Sequence, residues 1–549
     1  MYTIGINAAF HDSAACIIKD GQLLAAVEEE RFTHVKHGKR PIPFSTYELP
    51  FHAINYCLDI AGITLREVDH VAYSFDPSKY AGGSDWDELF LSHITHAPGQ
   101  LKDGYPHHLQ TNFMHAAQSR FKWHFVEHHL AHAASAFLPS PYEEAAVMII
   151  DGRGENATTS YYTGRQTSLV KIKEVQMPHS LGLLYERATS HLGFLHSSDE
   201  YKVMALASYG KPVYADAFRS LIDIKGDGTY TIEQTALEEL LGPARKKSEP
   251  FVEKHFDIAH SLQLVLEETV LQLVQWLHVE TAMENLCFAG GVALNCVLNS
   301  YIRDNGPFKN IWVQPAAGDA GTALGAAMWI DTVERKAATR NFNMQHAYWG
   351  PLYSDEEIEA FLQWTKVPYI KMKDIARETA QILAEDKVIG WYQGRMEFGP
   401  RALGSRSILA SPISPDMQAR LNEIKDREDF RPVAPVVMEE HAAEWFENAS
   451  ISPYMLFVYN VKPDKAKKIP AVRHVDGTAR IQTVNKDQHP AYYNLLHEFN
   501  RLTGVPILVN TSFNTRGEPI VCTPRDAIEC FWTSPFDALV INSFLLQKA

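Results

Sequence analysis

Tyr2-Thr3-Ile4-Gly5-Ile6-Asn7-Ala8-Ala9-Phe10-His11-Asp12-Ser13-Ala14-Ala15-Cys16-Ile17-Ile18-Lys19-Asp20-Gly21-Gln22-Leu23-Leu24-Ala25-Ala26-Val27 opens the chain. A strand-like run, Ile4 to Asn7, passes through the polar turn Phe10-His11-Asp12-Ser13 into a second run, Ala14 to Ile18. Asp20-Gly21 then reverses the chain into Gln22 to Val27. Asp-Gly between apolar runs readily takes the positive φ of a tight turn, so the pattern predicts a β-hairpin. The layout returns at Val147-Met148-Ile149-Ile150, Asp151-Gly152-Arg153-Gly154 and Thr158 to Tyr162, with a third run, Leu169 to Val175, after Gly164. The letters barely repeat but the layout does, which predicts two related β-rich halves, each followed by helices.

Beyond the second half, Leu262, Val265, Leu266, Val270, Leu273 and Leu277 recur at helical spacing and predict a long helix over about Ile258 to Met283. Two strand–loop–helix units follow. Leu286 to Ala289 runs into Gly290-Gly291 and Asn295, and Ile311 to Pro315 runs into Gly318-Asp319-Ala320-Gly321. Glycines at such strand ends let a ligand approach the backbone closely. Glu334 to Pro351 has no clear period and reads as a linker, giving domains at 1–345 and 346–549. In the second domain, strand-like and helix-like runs alternate (Val388 to Tyr392, Pro415 to Ile424, Tyr454 to Val461, Tyr492 to Leu502, Pro506 to Val509, Pro524 to Phe531, Ala538 to Ile541), an α/β pattern.

The 549 residues suffice for several cores, and 46% hydrophobic with 21% charged residues is the balance of a globular enzyme. A net charge of −15 argues against a nucleic-acid or membrane-surface partner. Apolar runs stay well short of the roughly 18 residues of a membrane span. Tyr2 to Asn7 reads as a strand, not a leader, and six scattered cysteines without a CxxC read as free thiols, so the expected location is the cytoplasm.

Against that acidic background, Gly394-Arg395-Met396-Glu397-Phe398-Gly399-Pro400-Arg401-Ala402-Leu403-Gly404-Ser405-Arg406-Ser407 and Lys425-Asp426-Arg427-Glu428-Asp429-Phe430-Arg431-Pro432 carry six basic side chains. Guanidinium forks grip phosphate oxygens two at a time. With Arg480, Thr483 and the strand-end segment Asn510, Ser512, Asn514 and Arg516, these residues predict a phosphate site in the second domain. The loop Gly152-Arg153-Gly154-Glu155 could aim backbone N–H groups at a phosphate or simply be a hairpin loop. No GxxxxGK[ST] occurs, so ATP would bind without a P-loop.

His128 and His132, four apart on a helix predicted to end before Pro139, share one face and can hold one metal, or be two surface histidines. Spacing alone does not choose a carboxylate partner. Two His and one carboxylate favour iron(II), with zinc and manganese open. Asp12 could orient His11 as a general base, or either residue could cap the turn. Glu28-Glu29-Glu30-Arg31, with Lys36 and His37, reads first as a solvated charge run.

His11 to Ala15, Glu28 to Phe32, the His128/His132 helix, Ala289 to Asn295, Gly399 to Ser407, Lys425 to Pro435 and Asn510 to Val521, in this order, resemble the O-carbamoyltransferases of natural-product and nodulation-factor biosynthesis, essentially end to end. The resemblance implies an N-terminal Kae1-like domain of the actin/Hsp70-like fold, with duplicated RNase H-type halves, and a C-terminal YrdC-like α/β domain. It implies that carbamoyl phosphate and ATP give carbamoyl-adenylate in the second domain, and that the first moves the carbamoyl group to a hydroxyl of a small natural product, releasing AMP. By position it assigns His128, His132 and Asp319 to a metal, with iron(II) expected and magnesium(II) a further candidate alongside ATP. It places Gly152, Arg153, Gly154, Gly290, Gly291 and Asn295 around the adenylate. His11 becomes the base and Lys36 an electrostatic helper, while Lys425, Arg427, Arg480 and Arg516 belong to the YrdC-like site. Asp69 to Asn112 matches no single member closely and is expected to shape the acceptor pocket. Sugar, aminocyclitol, macrolide and alkaloid hydroxyls stay open as acceptors, and so does the oligomeric state.

Two related readings fare worse. A tRNA threonylcarbamoyladenosine-type synthase needs a basic surface that a charge of −15 disfavours, and the hydrogenase-maturation carbamoyltransferases carry paired CxxC motifs that are absent here. A non-enzymatic nucleotide sensor of the actin/Hsp70 type would have no use for Lys425, Arg427 and His11.

Overall fold

A computed structural model describes residues 1–38, 49–80, 85–103, 113, 116–515 and 517–548. The chain divides into two compact units, Met1–Met344 and Gln345–Ala549.

The first unit holds two five-stranded sheets. In one, β1 (Tyr2–Asn7), β2 (Ala14–Lys19) and β3 (Gln22–Glu28) form an antiparallel meander turned by Asp20-Gly21. β4 (His70–Tyr73) and β5 (Lys122–Phe125) add in parallel beyond β1, giving the order β3-β2-β1-β4-β5. In the other, β6 (Glu144–Ile150), β7 (Ala157–Arg165) and β8 (Ser168–Gln176) form the meander, and Asn285–Ala289 and Asn310–Val313 add in parallel beyond β6. Third, second, first, fourth, fifth is thus the strand order of both halves. The duplication expected from the opening hairpin is present, as two RNase H-type halves of an actin/Hsp70-like layout. The long helix runs Glu253–Thr281, starting five residues before the periodic run because its first turn, Glu253 to Asp257, is mostly polar, with Phe256 its one apolar residue.

Two short-range features position the site. The helix Ala320–Glu334 packs against β1 and against the helix His128–Phe137. Its Gly325 allows this: a Cβ there would sit inside the carbonyl oxygen of Ala131. The turn after Ala289 depends on Gly290, at φ +94°, where a side chain would collide with the Ile150 carbonyl.

The charge run at the end of β3 is not solvated. Glu28, Glu29 and Arg31 are buried: Arg31 pairs with Glu28 and Glu30 at 3.1 and 2.9 Å, and Glu29 accepts from the Ala53 N–H and pairs with His52. The reading fails because the helix Phe51–Ala61 covers that strand end.

The second unit is α/β, built on one eight-stranded mixed sheet. Its core gathers Trp391, Tyr392, Trp445, Tyr492, Phe499 and Phe531. At its centre Arg406–Ala410 pairs antiparallel with Ile507–Ser512, setting Ser407 opposite Ser512. This register brings the ends of the glycine–arginine segment and the Asn510–Asn514 segment together. Among the described residues, no helix is long and apolar enough to cross a membrane.

Candidate active site and metal centre

β1 ends at Asn7, whose amide donates to the carbonyls of His11 and Asp12 at 2.8 and 3.1 Å and so shapes the loop that carries them. In that loop His11 Nδ1 lies 2.9 Å from one Asp12 oxygen, and His37 Nδ1 lies 2.7 Å from the other. The Asp12 N–H donates to the His37 carbonyl, and His37 Nε2 meets the Ser198 hydroxyl at 3.0 Å. Burial would raise the Asp12 pKa, but His11 and then His37 overrule it and hold the carboxyl below its usual range. Asp12 is therefore a permanent acceptor. Because Nδ1 faces Asp12, Nε2 is the His11 nitrogen positioned to accept a proton. Lys36 belongs to the same turn, Lys36–Gly38, and its ammonium stands over the Tyr201 ring.

Next to this loop, His128, His132, Asp151 and Asp319 converge, all buried, with one donor atom from each within 4.8 Å of the others. His128 Nε2 is 3.2 Å from His132 Nε2, 3.4 Å from Asp151 and 3.5 Å from Asp319. His132 Nε2 is 3.8 Å from Asp151 and 3.6 Å from Asp319. Donors about 2.1 Å from a shared ion stand roughly 3.0–3.5 Å apart; the three edges at His128 fit that spacing, and the two from His132 to the carboxylates are slightly longer. The tautomer fits as well: His128 Nδ1 is 3.1 Å from the Ser74 carbonyl, to which it can only donate, and this directs the Nε2 lone pair inward in the neutral ring. Burial opposes charge on His128, yet Asp319 and Asp151 raise its pKa well above the ordinary imidazole value. Burial also opposes charge on Asp319, and His128 and His132 nevertheless pull it well below the carboxylate range. The two buried carboxylates favour positive charge beside them, whether a proton on His128 or a cation. Two imidazoles and two carboxylates, without a thiolate, suit iron(II), zinc(II) or manganese(II).

The two clusters are neighbours. The Asp12 carboxylate lies 3.8 Å from where a Cβ on Gly318 would stand, one residue before Asp319. Ser74 links them through polar contacts: its hydroxyl donates to Asn7 at 3.1 Å and accepts from Thr322 at 2.8 Å, while its carbonyl takes His128. Phe10 packs on Phe75 and Phe90 and against His128, and Arg153 lies over the Phe10 ring.

His128, His132 and Asp319 are thus brought together, and Asp151, read only as part of a glycine loop, joins them. Its other oxygen accepts the Gly291 N–H at 2.8 Å, tying the glycine turn to the cluster. A signal was there, since Asp151 and Asp319 both stand at the ends of buried runs that lead into glycine. Glu155 is corrected: its carboxylate accepts the backbone N–H groups of His128 and Asp76, and burial raises its pKa, so it fastens the start of the histidine helix and is not turned to a phosphate. Asn295 caps the helix Cys296–Asn305 and donates to Gln263 at 2.8 Å.

In the second unit, Lys425 is buried and donates to the carbonyl and hydroxyl of Ser512 and to Asn514 at 2.7 and 2.8 Å. Burial, then Arg427 and Arg431, lower its pKa well below the usual lysine value. Arg427 donates to Asn422 at 2.7 Å, and Arg431 stands 3.5 Å from Glu428. Arg401 is half-buried in its loop, and Arg480 ends the strand Thr478–Arg480. Arg406 is corrected: fully buried against the Tyr392 ring at 3.6 Å, it donates to the carbonyls of Gln393, Gly394, Ser405 and Pro351. It braces the loop and presents no fork to a ligand. Three of the loop's N–H groups are also spent, because Glu397 accepts those of Leu403, Ser405 and Arg406 at 2.7–3.2 Å. Thr483 and Asn510 are buried ties, to the Ser452 N–H and to Gln482 and the Ala402 carbonyl. Arg516 and parts of Asp69 to Asn112 lie outside the described residues.

The family model described as Carbamoyltransferase N-terminus matches residues 2–328, and Carbamoyltransferase C-terminus matches 380–548. The nodulation protein NolNO of Sinorhizobium fredii is 40% identical over 99% of this chain and 80% of its own length. The nodulation protein NolO of Bradyrhizobium diazoefficiens is 40% identical over 77% of this chain and 79% of its own. An uncharacterized protein of Synechocystis sp. is 42% identical over the whole chain and 97% of its own. Among solved structures, full-length HypF in a phosphate- and nucleotide-bound form aligns with 62% of this chain and 56% of its own at 13% identity and a TM-score of 0.35, a likeness too distant to bear on function.

Proposed function

We propose that this chain, which belongs to the carbamoyltransferase family, is an ATP-dependent O-carbamoyltransferase acting on a hydroxyl of a small molecule. The observation that carries the reading is a carboxylate-oriented imidazole, His11, beside a buried two-histidine, two-carboxylate cluster.

Carbamate is a poor electrophile, so its oxygen needs a better leaving group. Water cleaves carbamoyl phosphate to carbamate and phosphate. A carbamate oxygen then attacks the α-phosphorus of ATP, and pyrophosphate leaves. Lys425, Arg427, Arg431 and Arg480 are the cations proposed to hold the phosphates in the second unit. In the first unit the acceptor oxygen attacks the carbamoyl carbon of the adenylate, the bond to the phosphate oxygen breaks, and AMP departs. His11 Nε2 takes the hydroxyl proton while Asp12 steadies the resulting imidazolium. His128, His132, Asp151 and Asp319 would hold a divalent metal, which when bound offsets negative charge on the phosphate of the leaving AMP. The partly exposed Phe10 ring, backed by the buried Phe75 and Phe90, gives the acceptor an apolar wall.

The test is release of AMP and pyrophosphate by the full chain with ATP and carbamoyl phosphate, with and without a panel of hydroxylated natural products. The expected result is carbamoyl-phosphate-dependent pyrophosphate release and a mass gain of one carbamoyl group on one panel class. No nucleotide turnover with the metal supplied anaerobically as iron(II) would sink the reading.

A further inference from the structure

The face of the first sheet carries a second convergence of donors that the proposed reaction does not use. His70 opens β4 and His124 lies in β5, one parallel pair further along: His70 stands opposite Lys122, and Ala72 opposite His124. Side chains two residues apart on a strand share a face, so His70 and His124 are diagonal neighbours. Their rings meet nitrogen to nitrogen, His70 Nδ1 to His124 Nε2 at 2.9 Å. Glu334 reaches the same point from the end of the helix Ala320–Glu334, with an oxygen 3.8 Å from His124 Nε2. One donor atom of each residue lies within 4.8 Å of the others.

We propose that His70, His124 and Glu334 form a second divalent-metal site, taking a borderline cation such as zinc(II) on two imidazoles and one carboxylate, with water completing the shell. The donor set is that of three-ligand zinc sites. Lys122 now pairs with the same Glu334 oxygen at 2.6 Å, but its side chain is 63% exposed, so the contact is a weak one for a metal to displace. The site lies at the opposite end of the helix that follows Asp319, fifteen residues or about 22 Å away. A metal there would pin that helix to β4 and β5, the strands that lead to Ser74 and to the histidine helix.

The experiment is calorimetric titration of the chelator-stripped full chain with zinc(II), compared with His124→Ala and Glu334→Gln. The expected result is one equivalent bound by the wild type at micromolar or lower concentration that each variant loses or binds at least roughly tenfold more weakly, with His128→Ala retaining it. Glu334→Gln, at a partly exposed helix end, decides the matter if His124→Ala fails to fold. Equal stoichiometry and affinity in the wild type and Glu334→Gln overturn the proposal, as does a wild type with no such equivalent below millimolar zinc.

Discussion

Asp12 is the residue on which the proposed chemistry turns. It sits at φ 56°, a conformation that aspartate and asparagine tolerate better than most side chains, and it divides its two oxygens between two imidazoles. Asp12→Asn preserves shape and backbone but removes the charge that stabilises a protonated His11. Carbamoyl transfer should fall by about 10²–10⁴-fold, and the acidic limb of its pH–rate profile should move to lower pH. Carbamoyl-phosphate-dependent pyrophosphate release should stay near the wild-type rate. An unchanged transfer rate with an unmoved limb would remove Asp12 from the mechanism.

At the scale of elements, the candidate metal centre depends on how closely two helices approach. Gly325 faces the Ala131 carbonyl between His128 and His132, so a methyl group there forces the helices apart. Gly325→Ala should lower metal content per chain severalfold, measured by elemental analysis, while the far-ultraviolet circular dichroism stays near wild type. Full metal retention would mean that the helices adjust without moving the ligands. The long helix Glu253–Thr281 carries a different signature. Glu267 is buried, accepts from Gln263 at 2.8 Å, and has its pKa raised by burial from 4.5 to about 7. Between those values the folded chain holds a proton that the unfolded chain has released. The stability this protonation gives is therefore full below pH 4.5 and is lost as pH rises through 7. Denaturant unfolding at pH 5 and pH 8 should show the wild type losing up to about 3 kcal/mol relative to Glu267→Gln. Parallel pH dependence in the two proteins would mean that Glu267 ionises normally. Elements with a local signal were legible in the sequence: the Asp20-Gly21 turn, the histidine helix, and Ala538–Ile541, which matches its predicted bounds. The central strand Arg406–Ala410 was not, because its first two residues, Arg406 and Ser407, read as a phosphate loop. Asp151 as a ligand, His37 on Asp12 and Glu397 filling its own loop were also hidden. Each is a contact made across a turn or between strands, which neither periodicity nor spacing records.

For the molecule as a whole, the proposed reaction divides between the two units, and this division can be broken one half at a time. Lys425 is held by Ser512 and Asn514 with its charge disfavoured by burial, an arrangement that an incoming phosphate would relieve. Lys425→Ala should reduce carbamoyl-phosphate-dependent pyrophosphate release by at least about 10²-fold, in line with the loss of a charge-stabilising donor. It should abolish transfer with it, since no adenylate is made. His11→Ala should leave pyrophosphate release intact and stop transfer alone. Lys425→Arg keeps the charge and separates lost charge from a disturbed strand end. Given synthetic carbamoyl-adenylate, Lys425→Ala should carbamoylate the acceptor at the wild-type rate while His11→Ala does not. If both variants use the supplied adenylate equally well, or both fail, the two steps do not divide between the units as proposed.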